Sequence, residues 1–175
     1  QNDEKMRIDS SGRVGIGVTP FSAGGNGDDL IIGDPTTSVG SGITIGSTTT
    51  GDIQFGDATT GTGRYAGLLR YEHANDAMVF WTASTERMRI DSVGRVGIGT
   101  TDPSTYSNAS ELVVDTGLAG GITVVSDSTS GGYGGLYFAD GTTGNEQYRG
   151  FFQYNHNNSG TDEMLIGTAG ATRMT

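Results

Sequence analysis

Apolar residues along this chain alternate with polar or glycine positions at period two, and nowhere recur at the three- and four-residue spacing of a helix. The pattern predicts an all-β chain without significant helix. Met6 and Ile8 share a face, Ser10-Ser11-Gly12 read as a three-residue hairpin loop, and Val14 and Ile16 resume the alternation. Gly12 suits the left-handed position that such a loop needs. This register sets Asp9 opposite Arg13, Ile8 opposite Val14 and Met6 opposite Ile16. Four apolar side chains then share one face, with a charge pair beside the turn. Gly15 and Gly17 leave the other face bare, which predicts the close approach of another chain or another layer. Further strands are expected at 30–33, 42–46 and 52–56, and at 112–115, 121–125 and 135–139, separated by runs such as Ser47-Thr48-Thr49-Thr50-Gly51. Tyr65, Gly67, Leu69, Tyr71 and His73 alternate with Ala66, Leu68, Arg70 and Glu72. A polar loop at 74–77 then leads into Met78-Val79-Phe80-Trp81, a second hairpin.

The pattern is written twice. Residues 6–17 and 88–99 agree at eleven of twelve positions, the exception being Ser11 against Val93. Leu30-Ile31-Ile32 answers to Leu112-Val113-Val114, Gly42-Ile43-Thr44-Ile45 to Gly121-Ile122-Thr123-Val124, and Tyr65–His73 to Tyr148–His156. Met78-Val79-Phe80 answers to Met164-Leu165-Ile166, after a loop lengthened at 157–163, where insertions cost little. Two units follow, 6–87 and 88–173. Arg173-Met174 restarts the phrase, and the chain opens on Gln1, so a segment of a longer chain is expected. Arrays of this kind serve more often as scaffolds or binding surfaces than as single-pocket enzymes.

Composition sharpens this reading. Leu, Ile, Val and Phe make up about a fifth of the 175 residues, and the net charge is −10, a balance that borders on disorder. An ordered repeat with so few core formers is reconciled if each chain closes its core with identical partners. The 31 Gly against 3 Pro exclude collagen. The negative charge speaks against binding nucleic acid or anionic lipid, and no apolar run is long enough for membrane insertion. The absence of Cys removes disulfides and thiolate metal sites.

The stretch Glu86-Arg87-Met88-Arg89-Ile90-Asp91-Ser92-Val93-Gly94-Arg95-Val96-Gly97-Ile98-Gly99-Thr100-Thr101-Asp102-Pro103 resembles a phrase that recurs in bacteriophage tail fibres and related virion appendages, roughly ERMRIDSSGRVGIGTTSP. There, as here in Tyr71-Glu72-His73 and Met78-Val79-Phe80, a Tyr-x-His, Met-x-Phe hairpin precedes it. The resemblance covers nearly the whole chain. It implies an elongated repeat of β-hairpins in an intertwined homotrimeric fibre, of the β-prism or triple β-helix kind. The partners implied are two identical chains, other virion tail proteins and a host-surface glycan, with a location in a tail or collar fibre of the virion. Two departures touch packing: Val18-Thr19-Pro20 is one residue shorter than Thr100-Thr101-Asp102-Pro103, and Gly167 stands where the first unit has Trp81.

Candidate chemistry is sparse. Gly24–Ile32 matches one copy of the nine-residue calcium repeat, with no counterpart at 107–112, and reads as a turn. His73 and His156 occupy equivalent strand positions and would form imidazole rings in a trimer, but nothing nearby supplies further metal ligands, so no metal or cofactor is expected. Tyr65, Tyr71, Trp81, Tyr148 and Tyr154 fall on alternating packing positions, while Tyr106 and Tyr133 are placed in loops as exposed contacts for a glycan-binding module. Asp28, Asp29, Asp57, Glu72, Asp140 and Glu146 are the carboxylates available to a polysaccharide depolymerase. No spacing marks a catalytic pair among them, and Asp57 and Asp140 read as turn formers. No nucleophile motif or phosphate loop occurs in its required context, and the chain is not expected to be an enzyme. Glycosylation triplets begin at Asn108 and Asn157 and mean little outside a secretory pathway. No residue is singled out for receptor contact.

Overall fold

The computed structural model describes residues 5–18, 29–33, 40–107, 111–117, 120–126, 132–156 and 162–175. Among them there is no α-helix. Thirteen strands form three open sheets, and short 3-10 turns occupy Gly61–Tyr65, Pro103–Thr105 and Gly144–Tyr148. The described residues are all-β, without a closed barrel among them. The chain divides into two compact units, Gln1–Val113 and Val114–Thr175.

The first unit opens with β1 (Met6–Ile8), β2 (Val14–Ile16) and β3 (Leu30–Ile32). β1 and β2 pair antiparallel with Met6 opposite Ile16 and Ile8 opposite Val14, as their alternation predicts. The turn is organised by one carboxylate. Asp9 Oδ1 accepts from the backbone N–H of Ser11 at 2.8 Å and of Arg13 at 3.0 Å, while Oδ2 accepts from Arg13 Nε at 2.8 Å. Gly12 follows at φ +81°, where a side chain is strained. β3 joins β2 in parallel, a pairing that requires the crossover through residues 17–29.

The six-stranded sheet runs in sequence order: β4 (Thr50–Phe55), β5 (Gly67–Glu72), β6 (Ala77–Thr82), β7 (Thr85–Ile90), β8 (Val96–Ile98) and β9 (Leu112–Val114). β7 and β8 are the second copy of the phrase and keep its register, with Met88 opposite Ile98 and Ile90 opposite Val96. Asp91 repeats every bond, to the N–H of Val93 at 3.0 Å, the N–H of Arg95 at 2.9 Å and Arg95 Nε at 2.6 Å. The change of Ser11 to Val93 is silent because the turn uses only the backbone N–H at that position. A register shift leaves Arg87 as an extra residue between Glu86, opposite Trp81, and Met88, opposite Phe80. This bulge returns Met88 and Ile90 to the face of Phe80.

These turns make folding stability acid-sensitive. The hydrogen bond from Arg13 holds the Asp9 carboxyl below its usual 3.8. At Asp91 desolvation pushes upward, but the bonds from Arg95 and Val93 outweigh it, and the net shift is also down. A folded-state value below the unfolded one gives stability that is present above pH 3.8 and lost as pH falls through the lowered value. Hydrogen-exchange protection at Arg13 and Arg95 should therefore fall in acid more than at strand centres. An Asp9→Asn/Asp91→Asn variant should lose that difference, and equal acid loss in both proteins would refute the assignment.

The second unit carries β10 (Tyr133–Phe138), β11 (Gly150–Asn155), β12 (Glu163–Thr168) and β13 (Ala171–Met174), paired antiparallel in order. The same bulge recurs, with Arg173 as the extra residue between Thr172, opposite Gly167, and Met174, opposite Ile166.

Several expectations are corrected. Residues 42–46 and 121–125 are not strands, because no strand among the described residues pairs with them. β4 and β10 begin two residues earlier than 52 and 135, which places Tyr133 at the start of a strand rather than in a loop. Tyr65 and Tyr148 end 3-10 turns instead of lying on strands. His73 and His156 fall one residue beyond β5 and β11, although their N–H groups still bond to Thr49 O and Gly132 O. At Gly97 the neighbour is the chain itself. A methyl at Gly97 would lie 2.9 Å from Thr100 O and 3.5 Å from Pro103 Cδ, in the crossover between β8 and β9. Gly17 and Gly99 serve backbone conformation instead, at φ +72° and +77°, with open space beside Gly17.

Candidate functional site

Strand register divides the six-stranded sheet into two faces of opposite character. One carries the row Ile53, Leu69, Phe80, Met88 and Ile98, flanked by Tyr71, Met78, Ile90 and Val96, and by Phe55. This face has no charged side chain in those rows, yet Phe55 is 64% exposed and Ile53 47%. The other face carries the ions. Arg70 clamps Asp52 through Nε and Nη2, both at 2.8 Å, and its guanidinium lies 5.7 Å from the centre of the Trp81 ring. Arg89 bonds Glu86 at 2.6 and 2.9 Å and reaches Glu72 at 3.7 Å. Between these pairs Leu68, Ala77 and Val79 are buried. The Arg70 bond lowers the Asp52 carboxyl and the same pairing raises Arg70.

A compact domain buries its apolar face and wets its charged one. Here the apolar face is the open one. The second unit repeats this with Leu136, Phe152, Ile166 and Met174 in one row and Tyr154 and Met164 in the next. Leu136, Phe138, Phe152, Met164 and Met174 are all exposed.

The segments at 40–47 and 120–126 lie against these same faces. Ile45 comes within 3.5 Å of where a Cβ on Gly51 would stand, and Val124 within 3.6 Å of the equivalent point on Gly134. Ile43 and Ile45 line a shallow groove with Ile53, Leu69 and Met78. Ile43 is nevertheless 68% exposed and Ile122 71%. The alternation legible in the sequence is a strand pattern, but its apolar side chains are left largely in water.

The residues weighed for chemistry are held by structural partners. Asp57 N–H bonds Gly63 O, and Asp140 N–H bonds Glu146 O, each closing a turn. Asp140 also pairs with Arg149 at 3.3 Å, and Glu146 accepts from Thr143 Oγ1 at 2.8 Å. Glu72 accepts from Asn75 and faces Arg89. The backbone carbonyl of Asp29 accepts from Val14 N–H, while Gly24–Asp28, Asn108 and Asn157 lie outside the described residues. Tyr106 is exposed in the crossover that follows the turn at Pro103–Thr105.

Each histidine packs edge-on against a tyrosine, His73 on Tyr71 at 4.9 Å and His156 on Tyr154 at 4.8 Å. The phenols donate to Asp76 at 3.2 Å and to Asp162 at 2.7 Å. Desolvation and then Asp76 raise the Tyr71 phenol; for Tyr154 the Asp162 bond comes first and desolvation second. Among the described residues no three His, Cys, Asp or Glu side chains gather to hold a metal ion. None of their helices is long and apolar enough to cross a membrane.

The described residues thus define a class: open, mostly antiparallel sheets, the two larger ones each with one exposed apolar face, on a chain whose sequence repeats. Comparison with known proteins finds no matching family and no similar curated protein.

Proposed function

We propose that this chain is a structural segment of a trimeric phage tail fibre, in which three copies bring their apolar sheet faces together. The observation that carries this reading is the open apolar face, present in both units at equivalent positions. The duplicated phrase, with its resemblance to virion fibres, supplies the biological setting: a fibre on the virion, anchored to other tail proteins, that holds host recognition away from the particle.

In this assembly the segments at 42–46 and 121–125 become strands. Their alternating apolar side chains cover a neighbouring copy, and their backbone groups pair there. The test combines particle mass by light scattering with amide hydrogen exchange. A threefold mass with protected amides at 43–45 and 122–124 supports both statements. A threefold mass with unprotected segments removes the strand assignment alone, and a monomeric mass removes the fibre reading.

A further inference from the structure

The two units differ most on the face opposite the apolar one. In the first unit that face is filled and ionic, with Asp52, Arg70, Glu72 and Glu86 paired around Trp81. At the corresponding positions the second unit has Gly135, Gln153, Asn155, Thr172 and Gly167, so every one of those charges is gone. Thr50 and Gln54, on the edge strand, become Tyr133 and Tyr137. The cross-strand pair Leu68–Trp81 becomes Phe151–Gly167, and the Phe151 ring lies over the space a side chain at 167 would need. Loss of the indole and the ion pairs leaves a cleft lined by Tyr133, Tyr137 and Tyr148 together with Gln147, Gln153 and Asn155. The three tyrosines are exposed, and the Tyr137 hydroxyl reaches Gln153 Oε1 at 3.4 Å.

We propose that this cleft binds a neutral oligosaccharide. A sugar ring offers an apolar C–H face and a rim of hydroxyls that both donate and accept. Exposed phenol rings complement the first, and primary amides, with a donor and an acceptor each, complement the second. The lining carries no charge to recruit an acidic sugar or to be stranded unpaired under a neutral one. Because the cleft is on the face opposite the open apolar one, assembly through the latter leaves it accessible. The ion-paired first unit lacks the site, so one chain combines a packed repeat with a recognising one.

The test uses an array of neutral hexose and N-acetylhexosamine oligosaccharides with acidic counterparts, probed with the 175-residue chain and two variants. Tyr137→Ala removes a stacking ring from an exposed position. Phe151→Leu/Gly167→Trp installs the pair that fills the first unit. The parent should bind neutral oligosaccharides, and each variant should weaken binding by about tenfold or more with particle mass and circular dichroism unchanged. Should the double variant misfold, Tyr133→Ala takes its place beside Tyr137→Ala. No binding of neutral sugars at about 1 mM, binding of acidic sugars alone, or undiminished binding by the variants would overturn the proposal. A monomeric chain that binds would leave it standing and remove the fibre reading.

Discussion

Phe80→Asp/Phe152→Asp is expected to turn a threefold particle into single folded chains. Both residues sit in the central apolar row of their sheet, Phe80 between Leu69 and Met88, Phe152 between Leu136 and Ile166. Phe80 is 37% and Phe152 50% exposed in the lone chain, so a carboxylate there remains hydrated and the lost ring contacts cost about 1–2 kcal/mol of folding stability per site. In the assembly the same group would be buried against apolar side chains of a second copy with no cation among those rows. That costs several kcal/mol per site, at six sites in three chains. Light scattering should report a threefold drop in mass while circular dichroism retains the strand signal. An unchanged mass would show that some other surface holds the copies together.

The second large effect lies on the opposite face. Val79 is fully buried and stands directly between Arg70 and Arg89 on the neighbouring strands. Val79→Ala removes two methyl groups and should cost about 2 kcal/mol. Val79→Lys should cost about 4 kcal/mol or more, because the new ammonium meets two guanidiniums whose carboxylates are already engaged. Asp52 is held in two bonds by Arg70, and Glu86 in two by Arg89. Urea unfolding of the two variants decides the matter. If Lys is no worse than Ala, the arginines do not set the electrostatics of this face.

What was legible in the sequence is the local part. The hairpin at 6–17 could be placed in register because its turn residues, its alternation and its charge pair all agree, and each acts over a few residues. The strands expected at 42–46 and 121–125 show how that reasoning fails. Alternation states which side chains need cover, not which chain supplies the partner, and here no described strand of the same chain does. The glycine at 97 signalled a close approach, but the approaching residues, Thr100 and Pro103, lie in a crossover whose path no periodicity encodes. The aromatic cleft was missed for a related reason. The exchange of Trp81 for Gly167 was visible, yet its meaning depends on Phe151, Tyr137 and Gln153 sharing a face with it. Aligning the two units position by position along the polar face would have revealed the lost charges.

Within each sheet the strands stand in the order in which they occur along the chain. Most pairings therefore close short loops and need no distant segment to arrive first. Contacts this local favour rapid folding, on the order of milliseconds or faster, and let strands pair as they emerge from the ribosome. If three copies then combine, the slow event is their encounter. Yield would be set by how many chains are made close together, and a newly made chain would wait with its apolar face open, dependent on its neighbours for protection from aggregation.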